Sequence, residues 1–168
     1  LVGGGGGGGG RIAIAVTGLD SSALTLTAYP GLGPSGASAQ GTGSESIGTN
    51  GAPGTIYRDG PSGRTLEIRA TPATAGRALT PLGDASYTLA RLAVENARLA
   101  FTAPSAAVTA ESVGVQGDSS LQFKEASVTG DLLLGSGVSV LPLPGNTGRL
   151  SLTVGGRFEL PAGATINA

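Results

Sequence analysis

The chain contains no histidine and no cysteine. Their absence removes the commonest general base, imidazole and thiolate metal ligands, disulfides and cysteine nucleophiles. Tryptophan is missing as well, so Tyr29, Tyr57 and Tyr87 are the main aromatic platforms for a sugar or a base. Charge is scarce, at 12% of 168 residues, roughly half the usual quarter. Ten basic and eleven acidic side chains leave a net charge of −1. No basic field exists for nucleic acid or anionic lipid. No apolar run reaches the ~18 residues of a membrane helix, so neither nucleic acid nor membrane insertion is expected. No segment joins the charged, apolar and cleavage regions of a signal peptide.

Helical stripes are also lacking. Gly and Pro interrupt nearly every ten-residue window, and no i, i+3, i+4, i+7 apolar stripe runs over three turns free of Gly. Tyr87 to Leu99 has a helix-compatible composition, yet Leu92-Ala93-Val94 and Leu99-Ala100-Phe101 alternate large and small residues with the period of a strand. Glycine (31) and proline (10) make up about a quarter of the chain, just below the share that marks low-complexity disorder. With 39% hydrophobic residues and positive mean hydropathy, the composition opposes disorder and fits a single folded domain.

Strands are predicted at Arg11 to Thr17, Ala23 to Ala28, Thr55 to Arg58, Arg64 to Ala70, Arg149 to Val154 and Arg157 to Leu160, each bounded by turn-forming residues. The C-terminal half carries a weak repeat. Leu92/Val94, Val113/Val115, Leu132/Leu134 and Leu152/Val154 step by about 20 residues. Leu99/Phe101, Leu121/Phe123, Val138/Val140 and Phe158/Leu160 do the same, and Val108 and Val128 suggest a third strand in each repeat. Short strands at such a period, with no helix between them, signify a β-solenoid whose coils stack at the ~4.8 Å strand spacing. Gly114, Gly117, Gly130, Gly135, Gly137, Gly155 and Gly156 are expected at its corners, where positive φ is free of a Cβ clash. The predicted fold is therefore all-β, a right-handed parallel β-helix, with a β-sandwich as the alternative. One solenoid domain is expected over 1–168: a glycine-rich linker at 1–10, loop-rich coils at 11–85 and regular coils at 86–168. Ile14 to Leu24 and Ile56 to Leu66 each read as one coil. Pro30 to Pro53 and Thr71 to Ala85 read as two long loops, and a ligand is expected where they meet the solenoid side.

Few motifs carry chemistry. The glycine run Gly3 to Gly10 and the stretch Gly31 to Gly36 match a GxGxxG string, but neither has the strand before and helix after that a dinucleotide site requires. The single lysine, Lys124, precedes Glu125 and is not in a phosphate loop. Carboxylate chemistry stays open, because glycosidases and lyases can work with Asp, Glu, Arg and Lys. Glu111 and Asp131 stand 20 residues apart with Arg91 a further 20 before, so one coil spacing stacks them on one face. The plainer reading is a solvated ladder of surface charges. No catalytic, cofactor-binding or metal residues are assigned, and no cofactor is expected.

The runs GGGGGGGGRIAIAV (Gly3 to Val16), GAPGTIYR (Gly51 to Arg58) and LSLTVGGRFELPAGATINA (Leu150 to Ala168) resemble repeat units of very large glycine-rich secreted or surface proteins of bacteria. Starting at Leu1-Val2 and ending in the first element of that unit, the chain reads as a piece of a tandem array. The resemblance implies a pectin-lyase-like right-handed parallel β-helix with a non-enzymatic structural or adhesive role outside the cell or on its surface. It also implies neighbouring repeats of the same chain as partners, with polysaccharide or the cell surface beyond them. The alternative function is a carbohydrate-active β-helix using carboxylates and arginine. The polygalacturonase branch of that superfamily pairs Asp with His, which this chain lacks.

Overall fold

A computed structural model describes residues 8–17, 24–31, 51–71, 78–103, 106–143 and 150–167. These residues are all-β, with no helix among them. The chain forms β1 (Arg11–Ala15), β2 (Thr55–Gly60) and β3 (Gly63–Arg69), then β4 (Leu79–Leu82), β5 (Ser86–Glu95) and β6 (Arg98–Phe101). After these come β7 (Ala107–Gln116), β8 (Ser120–Gln122), β9 (Glu125–Val128), β10 (Leu132–Leu134) and β11 (Ser139–Leu141). The last three are β12 (Ser151–Val154), β13 (Phe158–Glu159) and β14 (Thr165–Ile166). Tyr87 to Leu99, the stretch with helix-compatible composition, forms β5 and the start of β6, in keeping with its alternation.

Two sheets are built. The first runs β1-β2-β3-β5-β7-β10-β13, with β9 paired to the other half of β7 and β12 paired to β9; the second runs β4-β6-β8-β11-β14. Every pairing among the described strands is parallel except the β2–β3 hairpin.

From β5 onward each pass of the chain lays three short segments on the previous pass. Leu92 stacks on Val113, Val113 on Leu132 and Leu132 on Phe158. In the second sheet Leu99 stacks on Leu121, Leu121 on Val140 and Val140 on Ile166. A pass cannot bury these side chains alone. Stacked, Leu92, Leu99, Phe101, Phe123, Leu132 and Val140 lose nearly all exposure and join one core fed by both sheets. Each such burial is worth about 1.5–3 kcal/mol. The interior leaves a void of only about 10 Å³, at or below the size that holds one water. Tyr87 closes one side edge-on against Phe101, with ring centroids 4.9 Å apart.

The spacing near 20 residues holds for the early passes and fails at the last. Between β11 and β12 the chain carries an insertion, so the register step from Leu132 to Phe158 is 26 residues. Leu152 consequently stacks on Ala126, and Leu160 does not continue the Val140 line, which Ile166 occupies. Two alignments from the sequence are also offset by two residues. Leu121 faces Val140 where Val138 was aligned with it, and Val108 faces Ala126 in place of Val128. A slip of two keeps every side chain on its face, so alternation cannot detect it.

Three further expectations are corrected near the start. Ile56 to Leu66 is not one pass but a hairpin: β2 and β3 are antiparallel, Tyr57 faces Leu66, and Pro61-Ser62 turn between Gly60 and Gly63. Residues 24–28 are not a strand; this segment makes isolated bonds, such as Gly54 N–H to the Ala28 carbonyl at 2.8 Å. The stretch Thr71 to Ala85 contains β4, which pairs with β6. Most of Pro30 to Pro53 and of the glycine run lies outside the described residues.

Of the seven expected corner glycines, only Gly117 and Gly137 have positive φ, at 71° and 82°. At Gly117 a Cβ would collide with the Asn96 side chain. Asn96, itself at φ 50°, donates Nδ2 to the Ala70 carbonyl at 3.2 Å and accepts the Asp118 N–H at 3.3 Å, tying three passes together at this corner. Gly130, Gly155 and Gly156 instead allow close backbone approach, and Gly114 lies mid-strand, where a Cβ would meet nothing within 4 Å. Gly114→Val is therefore expected to raise the urea midpoint, by about 0.5–1 kcal/mol. Gly117→Ala is expected to lower it by at least about 1–2 kcal/mol. Equal effects of the two in urea titrations would contradict this placement.

Candidate functional site

The trio Arg91, Glu111 and Asp131 occupies a corner of the first sheet. Inward Leu89 is followed by inward Leu92, and Ala110 by Val113, so the residues between them turn the chain outward, and all three charges are exposed. They do not share one register line: Arg91 pairs with Ser112, while the Glu111 carbonyl accepts the Gly130 N–H at 2.9 Å. Asp131 is already engaged, accepting the Arg157 backbone N–H at 2.9 Å and so holding the next corner. Of the three, only Arg91 lines the cleft described next.

That cleft lies on the outward face of β2, β3 and β5. Because Leu66 and Ile68 point into the core, alternation sends Thr65, Glu67 and Arg69 outward. The hairpin register sets Arg58 opposite Thr65 and Ile56 opposite Glu67. The parallel register then sets Thr65 beside Arg91, Glu67 beside Ala93 and Arg69 beside Glu95. Leu24 to Leu26 form the facing wall, and the enclosed space is about 390 Å³, within the range of small-molecule clefts, roughly 300–1,000 Å³.

Its electrostatics centre on Glu67. Arg58 Nη1 donates to Glu67 Oε1 at 2.6 Å, and Arg69 Nη2 lies 3.3 Å from Oε2. Arg58 and Glu67 are 13% and 12% exposed, so this pair is held largely away from water. Arg58 Nη2 also donates to the Leu24 carbonyl at 2.9 Å, which fixes the wall to the sheet. Arg69 Nε is 4.0 Å from Glu95 Oε2 at the outer rim. Two buried polar atoms on the lining, Arg58 Nε and Thr65 Oγ1, have no hydrogen-bond partner. Three guanidinium groups thus surround one lining carboxylate.

A second recess of about 430 Å³ opens on the opposite face of the same strands, lined by Tyr57, Tyr87, Leu66 and Leu89 with Arg64 and Asp84 at its edge. Tyr87 Oη accepts the Asp84 N–H at 3.0 Å. Burial raises the Tyr87 phenol above its ordinary 10.0. Tyr57 is partly buried against the core, and Tyr29 is exposed. The end of the second predicted loop, Leu82 to Asp84, borders this recess; the first loop lies mostly outside the described residues. No group of three or more acidic residues among the described residues is placed to hold a metal ion.

Alternation within Arg64 to Ala70 was enough to put Glu67 and Arg69 on one face. The contribution of Arg58 depends on the hairpin register, and no local signal fixed that. Comparison with protein-family models, with curated proteins and with solved structures finds no match to this chain.

Replacing Glu67 by Gln strands Arg58 in a largely dehydrated site and is expected to cost about 2–3 kcal/mol in urea unfolding. Glu111→Gln should stay within about 0.5 kcal/mol. A neutral Glu67→Gln would remove the clamp from the stability argument. Above pH 10.0 the unfolded phenol of Tyr87 ionises while the folded one keeps its proton, so the unfolded state binds fewer protons and stability falls as pH rises. Tyr87→Phe should flatten that alkaline loss when Tm is followed from pH 9 to 11.

Proposed function

We propose that the chain is a segment of a right-handed parallel β-helix serving a non-enzymatic structural or adhesive role in a large secreted or cell-surface protein, with neighbouring repeats as its partners. Three short segments per pass, parallel registers in both sheets and a common apolar core support the solenoid reading. Parallel crossover connections are right-handed in about 98% of cases, which supports the hand.

The observation that carries the stacking role is the state of the last pass. Leu152, Phe158 and Ile166 continue the inward lines of Ala126, Leu132 and Val140. Yet Phe158 is 45% exposed, and Leu152 and Ile166 are only partly covered. Their outer sides have apolar surface and free strand edges in the spacing that a further coil would match. The carboxylates named from the sequence support the structural role too: Asp131 bonds a backbone corner and Glu111 faces solvent.

Light scattering over a concentration series tests this reading. The chain alone is expected to associate. Phe158→Asp should abolish association while leaving the urea midpoint nearly unchanged, since the side chain is half in water. A monomer at high concentration would overturn the stacking role, and turnover of a polysaccharide would replace it with the carbohydrate-active alternative.

A further inference from the structure

We propose that the cleft between β2, β3, β5 and residues 24–26 binds an oxyanion, a carboxylate or sulfate carried on an extended organic ligand, with Arg91 as the principal cation and Arg69 as its partner. The proposal concerns recognition and does not depend on stacking.

Charge accounting comes first. The lining has Arg58, Arg69 and Arg91 against the single carboxylate of Glu67. Arg58 is committed to Glu67 and to the Leu24 carbonyl. Arg69 shares the other oxygen of Glu67 and reaches Glu95 only at 4.0 Å; at 43% exposure it is free to turn. Arg91 is exposed and has no ion pair among the described residues. In a chain of net charge −1, this is a local cationic recess with low-dielectric walls, which concentrates the field on an incoming anion. A guanidinium offers two parallel N–H donors, a geometry that suits carboxylate and sulfate oxygens.

The lining also holds unused donor capacity. Thr65 sits between Arg58 and Arg91 in the register, and its buried hydroxyl has no partner. A small rotation would let it donate to the same oxyanion as Arg91.

The shape of the surface next to the cleft indicates an extended ligand. Glu67 is followed across the sheet by Ala93 and then Gly114, two positions with little or no side chain. They are flanked by Arg91 and Ser112 on one side and by Glu95 and Gln116 on the other. A Cβ at Gly114 would meet nothing within 4 Å, so this line is an open shallow track leading away from the cleft. An anionic group in the cleft leaves room for a neutral body along that track.

The test uses the full chain and titration calorimetry with three probes: an alginate oligomer bearing carboxylates, a dextran sulfate oligomer, and free sulfate, with neutral dextran as reference. At least one acidic oligomer is expected to bind, more weakly as salt rises. Arg91→Gln should weaken it by at least roughly tenfold, and Arg91→Lys should restore part of the loss. Gly114→Phe should weaken the oligomer and leave free sulfate unchanged. Arg98→Gln, away from the cleft, should change neither, and urea midpoints confirm that each variant is folded. Binding of neutral dextran equal to that of the acidic oligomers would overturn the proposal. So would unchanged affinity in Arg91→Gln, free sulfate as the only probe bound, or no binding by any probe. Loss of association in light scattering would leave these outcomes untouched, so the two readings fail separately.

Discussion

Parallel register between successive passes of the chain is the constraint on which the rest of the structure depends. No pass contains enough residues to bury its own Leu, Val and Phe, so the core exists only as a column built across passes. The ladder that builds the column also fixes the opposite face. Once Leu66, Leu92 and Val113 are aligned inward, Glu67, Ala93 and Gly114 must align outward. A one-residue slip in any strand would exchange the two sets, placing Glu67 in the core and a leucine in water. The chemistry of the cleft and the packing of the core are therefore selected together.

The charge pattern follows from the same economy. With so few ionisable residues in the chain, a group of them on one patch of sheet is a local decision and not an average property of the surface. Dehydrating Arg58 and Glu67 is costly, and their attraction repays that cost only with good geometry and further hydrogen bonds. The 2.6 Å contact and the Leu24 carbonyl supply both. What this pair gains is chiefly definition: it holds residues 24–26 over the sheet and so gives the cleft a second wall.

Strand positions were largely legible from the sequence, because alternation of large and small residues is local and survives the abundance of glycine. Register was not. The Leu92, Val113 and Leu132 line could be read because each pair sits at nearly equal spacing; the Phe158 line could not, because an insertion lengthens the last step. The trio Arg91, Glu111 and Asp131 had the right spacing for a stacked ladder and the wrong location, since a corner adds residues that face away from any shared recess. Glu67 and Arg69 were readable as neighbours on one strand face. Arg58 was hidden by the hairpin, whose two strands also fit the spacing of one pass.

The two ends of the second sheet differ in a way that bears on assembly. Its β4 edge contains Pro81, which has no N–H to offer a further strand and is a common guard of exposed edges. Thr80 beside it is buried, with its hydroxyl donating to the Pro53 carbonyl at 2.7 Å, so the chain itself partly covers that edge. In the first sheet the β2–β3 hairpin interrupts the parallel ladder on the same side. The β12, β13 and β14 edges have neither device: no proline interrupts them, their inward residues are apolar, and their register continues that of the passes beneath. Addition of a further parallel pass is thus favoured on one side and disfavoured on the other. A stack built from this surface extends in one direction only, with the cationic cleft left at its guarded end.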